Sequence, residues 1–327
     1  MRVLLLQLDG KIPNIALMRV AAHHRALGND VVMRQAGNAH AIEPRLDDPS
    51  WDSVYGSLIF ERTRPLAERT QAIYPHVILG GTGWDVASSL ERIGIDTIAQ
   101  DYTIYPRWAQ SIGFTQRGCR LRCGFCVVPR KEGAVSEVAT IGEIWRGEPW
   151  PREVILLDND FFGQPRWAER IDELQAGFRV SFNQGINARM LTDETAAAIA
   201  SVDYRDDSMR VKRIYTAWDN ARDEALLFRG LEALTRHGVK PAHIMVYMLI
   251  GYWPGETTED REHRRARLRE FGCRPYPMPF ERTPELIGFQ RWIIGAYDKT
   301  IPWREWRAAR YEPRNLGARE QQEALVL

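Results

Sequence analysis

Residues 110–129 read QSIGFTQRGCRLRCGFCVVP, an apolar, strand-like start that runs into a loop with three cysteines. Cys119, Cys123 and Cys126 have the spacing Cys-x3-Cys-x2-Cys. With one further cysteine in the chain, Cys273, these residues indicate metal or cluster ligation rather than a disulfide scaffold. Three thiolates this close fit three corners of an iron–sulfur cube, which normally takes four cysteines. One iron then keeps an open site for a cofactor or substrate.

The composition is that of a folded globular protein. Of the 327 residues, 44% are hydrophobic and 27% are charged, which excludes wholesale disorder, a collagen-like repeat and a membrane bundle. The formal net charge of +1 indicates no particular partner. No apolar stretch is long enough to span a membrane, and the apolar run at 3–8 is too short for a signal peptide. We therefore expect a cytoplasmic protein with no membrane partner.

Upstream of the cysteine loop, strand-like and helix-like segments alternate, which predicts an α/β fold with a parallel sheet. The strand-like segments are 3–8, 30–34, 53–60, 76–79 and 96–99, and the helix-like segments are 13–27, 65–74 and 87–93. An aromatic, proline-containing connector follows at 102–108. We place a domain boundary there and predict a flavodoxin/Rossmann-like domain over 1–106.

Downstream, six strand-like segments each lead into a helix-like or loop segment. They are 110–114, 153–157, 179–183, 213–218, 243–249 and 273–278. Six units are fewer than the eight of a complete barrel, so we predict a partial (β/α)6 TIM-type barrel over 107–280. Residues 281–327 are then a C-terminal helical extension.

The cysteine loop resembles the signature of the radical S-adenosylmethionine family, and Phe125 matches that family's aromatic residue just before the third cysteine. The resemblance implies that Cys119, Cys123 and Cys126 hold a 4Fe–4S cluster whose fourth iron binds S-adenosylmethionine. One electron, from a donor such as flavodoxin or ferredoxin, then cleaves the sulfonium bond. The resulting 5′-deoxyadenosyl radical abstracts a substrate hydrogen.

Asp158, Asn159 and Asp160 follow the second barrel strand, where many members of this family carry a Gly-Gly-Glu type sequence. By resemblance they receive the amino group of S-adenosylmethionine, through charge-assisted hydrogen bonds. The alternative is an acidic helix N-cap. Arg189 follows the third strand and, by resemblance, reaches the cofactor carboxylate. A surface ion pair is the alternative for this residue.

Two further segments complete the resemblance. Asp219 ends the fourth strand and is predicted to bind a ribose hydroxyl or the substrate. After the fifth strand, the segment GYWPGET resembles the family's Gly-x-Pro-Gly-Glu-Thr motif, which lies against adenine, with Trp253 added. Gly251, Pro254 and Gly255 are therefore predicted to bind the cofactor, since glycine lets the backbone approach a ligand closely.

The N-terminal domain resembles the cobalamin-binding-type domain that precedes many such barrels. It lacks the Asp-x-His-x-x-Gly ligand motif: Gly28 follows His24 one residue too late, and Ala22 stands where the aspartate belongs. We expect a vestigial domain without cobalamin. A cobalamin-dependent methyltransferase of the same superfamily is the alternative.

The sequence says least about the substrate. The tail over 303–319 mixes arginines with Trp303, Trp306 and Tyr311, a composition that suits phosphates and stacked bases. We therefore expect a nucleobase or nucleotide substrate, or a nucleic acid, rather than a peptide or small metabolite. The alternative, which we favour for most of the 11 tryptophans and charged residues, is core packing and solvated helix faces. A non-catalytic zinc or iron–sulfur binding module remains a third alternative, because a distant residue such as Cys273 can complete a zinc site.

Overall fold

The computed structural model describes residues 1–37 and 39–311. Contacts between residues divide the chain into two compact units. The first comprises Met1–Gln184 with Val202–Arg210, and the second comprises Gly185–Ser201 with Val211–Leu327. Both units combine helices with parallel sheets, which confirms the α/β class.

The first unit opens with four strands and three helices. These are β1 (Arg2–Gln7), α1 (Ile15–Ala26), β2 (Asp30–Gln35), α2 (Ala39–Ile42), β3 (Ser53–Ser57), α3 (Arg64–Ile73) and β4 (Ile78–Gly80). The strands form one parallel sheet in the order β2-β1-β3-β4.

Residues 3–6 of strand β1 are all apolar because both faces of the strand are covered. Val3 and Leu5 belong to one hydrophobic cluster with Met18 of α1. Leu4 and Leu6 belong to a second cluster, which includes residues of α2 and α3. A parallel strand buried on both faces reads as a continuous hydrophobic run, and this explains the start of the sequence.

His24 on α1 makes the stability of the protein depend on pH. Its Nε2 lies 3.0 Å from the Tyr55 hydroxyl, and its Nδ1 accepts a hydrogen bond from the side-chain Nδ2 of Asn29 at 3.1 Å. Burial lowers the pKa of His24, and the charges of His23 and the amino terminus lower it further. Neutral His24 therefore contributes to the stability of the folded state. Because an unfolded histidine titrates at about 6.5, this contribution is complete above that pH and is lost as the pH falls through the pKa of His24 in the folded protein.

We therefore expect the urea midpoint of the wild-type protein to fall between pH 7 and pH 5, and to fall less in His24→Gln. His76→Gln is the matched control, because His76 is exposed, and it should keep the wild-type slope. Equal slopes in wild type and His24→Gln would contradict the assignment.

The remainder of the first unit carries the cysteine loop. Its elements are β5 (Ser111–Gly113), β6 (Gln116–Arg117), α4 (Val128–Lys131), β7 (Ser136–Glu137), α5 (Ile141–Ile144), β8 (Glu153–Leu156), α6 (Trp167–Gln175), β9 (Arg179–Phe182) and β10 (Asp203–Tyr204). Four strands form a parallel sheet in the order β10-β9-β8-β5, and β6 and β7 form a short antiparallel hairpin.

The second unit contains a three-stranded parallel sheet in the order β11-β12-β13. Its elements are α7 (Asp193–Ser201), β11 (Ile214–Ala217), α8 (Glu224–Arg236), β12 (Ile244–Ile250), α9 (Thr258–Glu270), β13 (Arg274–Pro279), α10 (Pro284–Ile294) and α11 (Trp303–Tyr311). The prolines of β13 are tolerated because β13 is an edge strand, whose outer backbone needs no donor.

All six strands predicted for the barrel are strands in the structure, as β5, β8, β9, β11, β12 and β13. They form two sheets, and the single partial barrel stays a prediction, as do the domain bounds. The prediction of a strand over 96–99 was wrong: this stretch is irregular, Ile98 is exposed, and the Thr97 carbonyl accepts from Arg19 Nε at 2.6 Å. The predicted helix over 87–93 is only a 3-10 turn at Glu91–Ile93.

Two aromatic residues of the tail, Trp303 and Trp306, are part of a core. Trp303 and Trp306 are 2% and 4% exposed, and their rings lie 5.6 Å apart. Trp303 also contacts Phe289 and Trp292 on α10. Core packing, the alternative favoured for most of the tryptophans, is therefore confirmed for these two, and buried rings are not available to stack on bases. The Tyr311 side chain and residues 312–319 lie outside the described part of the chain.

Among the described helices, none has both the length and the apolar character needed to cross a membrane.

Candidate functional site

The cysteine loop begins after β6 and ends at β7. Pairing of these two strands brings the two ends of the loop together, and we call this paired region the neck of the loop. Gly118 has a φ of +81°, and a Cβ there would lie 2.2 Å from the Ala134 carbonyl oxygen. Only glycine fits this backbone and this approach. The Cys119 amide donates to the Gly133 carbonyl at 3.4 Å, which joins the two sides of the neck.

None of the three cysteines of the loop forms a disulfide, and all three are partly buried. Burial raises the pKa of the Cys119 thiol, and the nearby Asp160, Cys123 and Cys126 raise it further, against a hydrogen bond from the Leu121 amide that lowers it. A bound metal reverses this balance, because it stabilises the thiolate. Phe125 is partly buried in the same loop.

The donor chemistry of three thiols on one short loop fits an iron–sulfur cluster. Within residues 1–37 and 39–311, however, no group of three or more His, Cys, Asp or Glu side chains is arranged to hold a metal ion. The assignment of Cys119, Cys123 and Cys126 as ligands therefore stays a prediction.

Asp158 joins the ends of β8 and β5. Its buried carboxylate accepts from the Thr115 amide at 2.7 Å, from the Thr115 hydroxyl and from the Gln116 amide at 3.4 Å. Gln164 donates to the same Thr115 hydroxyl at 2.8 Å. Burial raises the pKa of Asp158 to about 7, although these hydrogen bonds lower it. In this structure the carboxylate thus binds the start of the segment that leads into the cysteine loop.

Asp160 binds the cysteine loop directly. Its carboxylate accepts from Arg120 Nε at 2.7 Å, from Nη2 at 2.9 Å and from the Arg120 amide at 3.1 Å. This two-pronged pairing is the strong form of an arginine–carboxylate contact. Asp160 precedes a 3-10 turn, but its side chain makes no capping hydrogen bond there, so the N-cap alternative is wrong for this residue.

Asn159 reaches the far end of the same loop. Its amide donates to Glu132 Oε2 at 2.9 Å, and that carboxylate also binds the Gly118 amide and the Arg117 guanidinium. The predicted residues 158–160 are therefore each bonded to the segment 115–132. Sequence reasoning missed Arg120 and Glu132, because nothing in the local pattern distinguishes them from solvated charges.

In the second unit, a pocket of about 310 Å³ lies beyond the ends of β11 and β12. It contains two predicted cofactor residues, Pro254 and Gly255, and the added Trp253. The Trp253 indole is held by a hydrogen bond from its Nε1 to the Asp219 carbonyl at 2.6 Å. The full lining is Asn220, Ala221, Arg222, Trp253, Pro254, Gly255, Glu256, Asp260 and Arg264.

A buried ion pair supports this pocket. Glu256 accepts from Arg264, and its other oxygen accepts from the Gly251 amide at 2.6 Å. Arg264 also donates to the carbonyls of Trp218 and Leu249, at 3.0 and 2.9 Å. Gly251 has a φ of +78°, and a Cβ there would meet Leu286 at 2.4 Å. The positive φ therefore favours glycine at position 251, whether or not it also approaches a ligand.

Arg189 and Asp219 lie near each other in this unit. Arg189 pairs with Asp223 and donates to Asn187 at 3.1 Å, so the ion pair weighed as its alternative is present. Burial raises the pKa of Asp219, while the positive charge of Arg189 lowers it. A partly buried carboxylate beside an arginine suits a hydroxyl donor, but the roles predicted for both residues stay predictions.

The crevice of the N-terminal sheet is where a cofactor such as cobalamin would bind. In parallel sheets, ligands bind beyond the carboxyl ends of the strands at the point where strand order reverses, here between β1 and β3. The buried Tyr105 hydroxyl lies there, donating to Gln7 Oε1 at 2.7 Å and accepting from the Asn14 amide at 3.0 Å. The Asn14 side chain in turn donates to Ser57 at 2.9 Å. The crevice is filled by the chain itself.

The adjoining loops are closed in the same way. The Asp9 carboxylate accepts from the amides of Ile59 and Phe60 at 2.8 and 2.9 Å, so these backbone donors are already used. His24 is buried on α1 and bonded through both ring nitrogens. Neither ring nitrogen of His24 is thus left to bind a metal. These residues do not fit cobalamin.

Comparison with known proteins adds no assignment: no protein-family model matches the chain, and no curated protein matches it in sequence.

Proposed function

We propose that this chain is a radical S-adenosylmethionine enzyme. The observation that carries the proposal is the bonding of the Cys-x3-Cys-x2-Cys loop to residues 158–160. The sequence singled these segments out separately, and Arg120–Asp160 and Glu132–Asn159 join them. A loop that is anchored at both ends holds its thiols at a defined place beyond the sheet, as a ligand site requires.

In this proposal, Cys119, Cys123 and Cys126 are the ligands of a 4Fe–4S cluster, and Phe125 packs beside it. When bound, the cluster supplies the electron that cleaves S-adenosylmethionine and so generates the radical that takes a hydrogen from the substrate. The chain's own work is to hold the thiols, to position the cofactor and to keep water away.

The pocket beside Trp253 is the proposed place of the adenosine. Its volume of about 310 Å³ lies at the lower end of the range for small-molecule sites. Trp253 supplies an apolar wall, and Pro254 and Gly255 supply backbone that a ring can approach. Asp219 and Arg189 are proposed for the ribose and the carboxylate, although Arg189 must then exchange or share its partner Asp223.

We also propose the finer fold. The order β2-β1-β3-β4 is that of flavodoxin-like sheets, and the orders β5-β8-β9 and β11-β12-β13 are sequential, as in a barrel. A cytoplasmic location, an electron donor such as flavodoxin or ferredoxin, and a nucleobase or nucleotide substrate complete the proposal. Burial of Trp303 and Trp306 removes part of the support for a nucleobase or nucleotide substrate, because these rings cannot stack on bases.

The proposal is tested by anaerobic reconstitution with iron and sulfide, followed by dithionite and S-adenosylmethionine. We expect a brown protein with about four irons per chain, as a 4Fe–4S cluster requires, and formation of 5′-deoxyadenosine. In a parallel sample, hydroxocobalamin should leave no corrinoid spectrum after desalting, whereas a cobalamin-dependent methyltransferase would retain it. Stoichiometric zinc without a cluster would favour the non-catalytic module instead.

A further inference from the structure

We infer that Glu132 is the positioning residue that closes the cysteine loop. The inference rests on the proposed function for its consequence, but its geometry is independent of any bound group. Glu132 lies six residues after Cys126, and it bonds to Gly118, one residue before Cys119. One side chain thus joins the two ends of the segment that carries all three thiols.

Both oxygens of Glu132 are used. Oε1 accepts from Arg117 Nη2 at 2.6 Å. Oε2 accepts from the backbone N–H of Gly118 at 3.0 Å and from the side-chain Nδ2 of Asn159 at 2.9 Å. The donors come from the start of the loop and from the end of β8. The carboxylate therefore closes the loop and also fixes it to the sheet.

Burial makes these contacts effective. The Glu132 side chain is 9% exposed, and helix α4 delivers it, with the Glu132 amide donating to the Val128 carbonyl at 2.8 Å. A buried carboxylate strongly favours conformations that keep its donors, because losing them leaves a charge unpaired in a low-dielectric site. Arg117 supplies the compensating charge and stays partly exposed.

The contacts of Glu132 also affect the proposed cluster, because they hold the three thiols in a common position. Three thiolates and a 4Fe–4S core concentrate negative charge, and the Arg117–Glu132 pair is close to neutral as a unit. Replacing Glu132 by glutamine keeps the shape but turns an NH2 group toward one set of donors, so either Arg117 or the Gly118 and Asn159 donors lose their acceptor. We expect the neck of the loop to open more often and the thiols to lose their common position.

The first experiment uses the apo protein and the rate at which iodoacetamide alkylates each cysteine, read by mass spectrometry. In Glu132→Gln, Cys119 should react roughly 10-fold faster than in wild type, a change of the size expected for one charge-assisted hydrogen bond. Glu137→Gln is the matched control: Glu137 lies on the same hairpin, is 41% exposed and only approaches Arg166 at 3.9 Å. It should react as wild type does.

The second experiment uses the reconstituted protein and the electron paramagnetic resonance spectrum of the reduced cluster. Glu132→Gln should alter the g-values and the change they undergo on adding S-adenosylmethionine, whereas Glu137→Gln should not. Glu132→Asp should restore part of the wild-type spectrum. If Glu132→Gln does not fold, Arg117→Met carries the same comparison, because it removes the guanidinium bonded to Glu132.

Wild-type alkylation rates and an unchanged spectrum in Glu132→Gln would overturn the inference while leaving the proposed function intact. Conversely, faster alkylation in a protein whose wild type forms no cluster and no 5′-deoxyadenosine would refute the proposed function. Closure of the loop by Glu132 would then stand as a property of the chain, without its consequence for a cluster.

Discussion

Replacement of Cys123 by alanine should abolish both the cluster and the formation of 5′-deoxyadenosine. Cys123 is the middle cysteine of the loop, and two remaining thiols cannot hold three corners of an iron–sulfur cube. Changes outside the ligand set of a metal commonly cost 10–100-fold, so loss of a ligand should reduce product formation by at least about 100-fold. Iron content, the absorbance near 400 nm and the product yield measure the effect.

Cys273→Ala is the matched control for this variant. Cys273 is buried, at 2% exposure, and burial raises the pKa of its thiol to about 12, so it is a poor ligand and a small apolar group. Its replacement should leave iron content and product yield at wild-type levels. Equal loss in the two variants would contradict the assignment of ligands, and retention of four irons by Cys123→Ala would exclude Cys123.

Replacement of Glu256 by alanine should cause the largest loss of stability in the second unit. Glu256 and Arg264 are 7% and 2% exposed in their side chains, so the substitution leaves a buried guanidinium without its anion. It also removes the acceptor of the Gly251 amide. Breaking a buried pair in this way costs about 3–5 kcal/mol of unfolding free energy. Urea titration followed by far-ultraviolet circular dichroism measures it.

Glu270→Ala provides the comparison on the same helix. Glu270 pairs with Arg267 one turn away, and its side chain is 72% exposed, so the pair is screened by water. We expect no measurable change in the urea midpoint. If Glu256→Ala were as stable as Glu270→Ala, the buried pair would not hold the ends of β11 and β12 together.

The elements that sequence reasoning predicted well are those whose pattern is local. The alternation of apolar runs with turn residues located all six strands of the second half, because burial imposes a regular spacing on each strand. The segment over 96–99 has the same apolar, β-branched composition and is not a strand. A strand needs a partner as well as a propensity, and the partner lies outside the local sequence.

The candidate site, too, could be predicted from the sequence only where its pattern is local. The three cysteines stand within eight residues, so their proximity follows from chain connectivity alone. Residues 158–160 were predicted to belong with them, but their bonding partners were not. Arg120 and Glu132 approach Asp160 and Asn159 only because parallel strands β5 and β8 end at the same edge of one sheet.

The amino-acid sequence by itself determined the α/β class, the position of most strands and the loop that carries three thiols, since each depends on the spacing of residue types along the chain. Only the tertiary structure decided which charges are buried and paired. Glu132, Glu256 and Arg264 look like surface residues in the sequence, yet their side chains are 9%, 7% and 2% exposed. Their surroundings come from distant segments, and burial of a side chain depends on what those segments place around it.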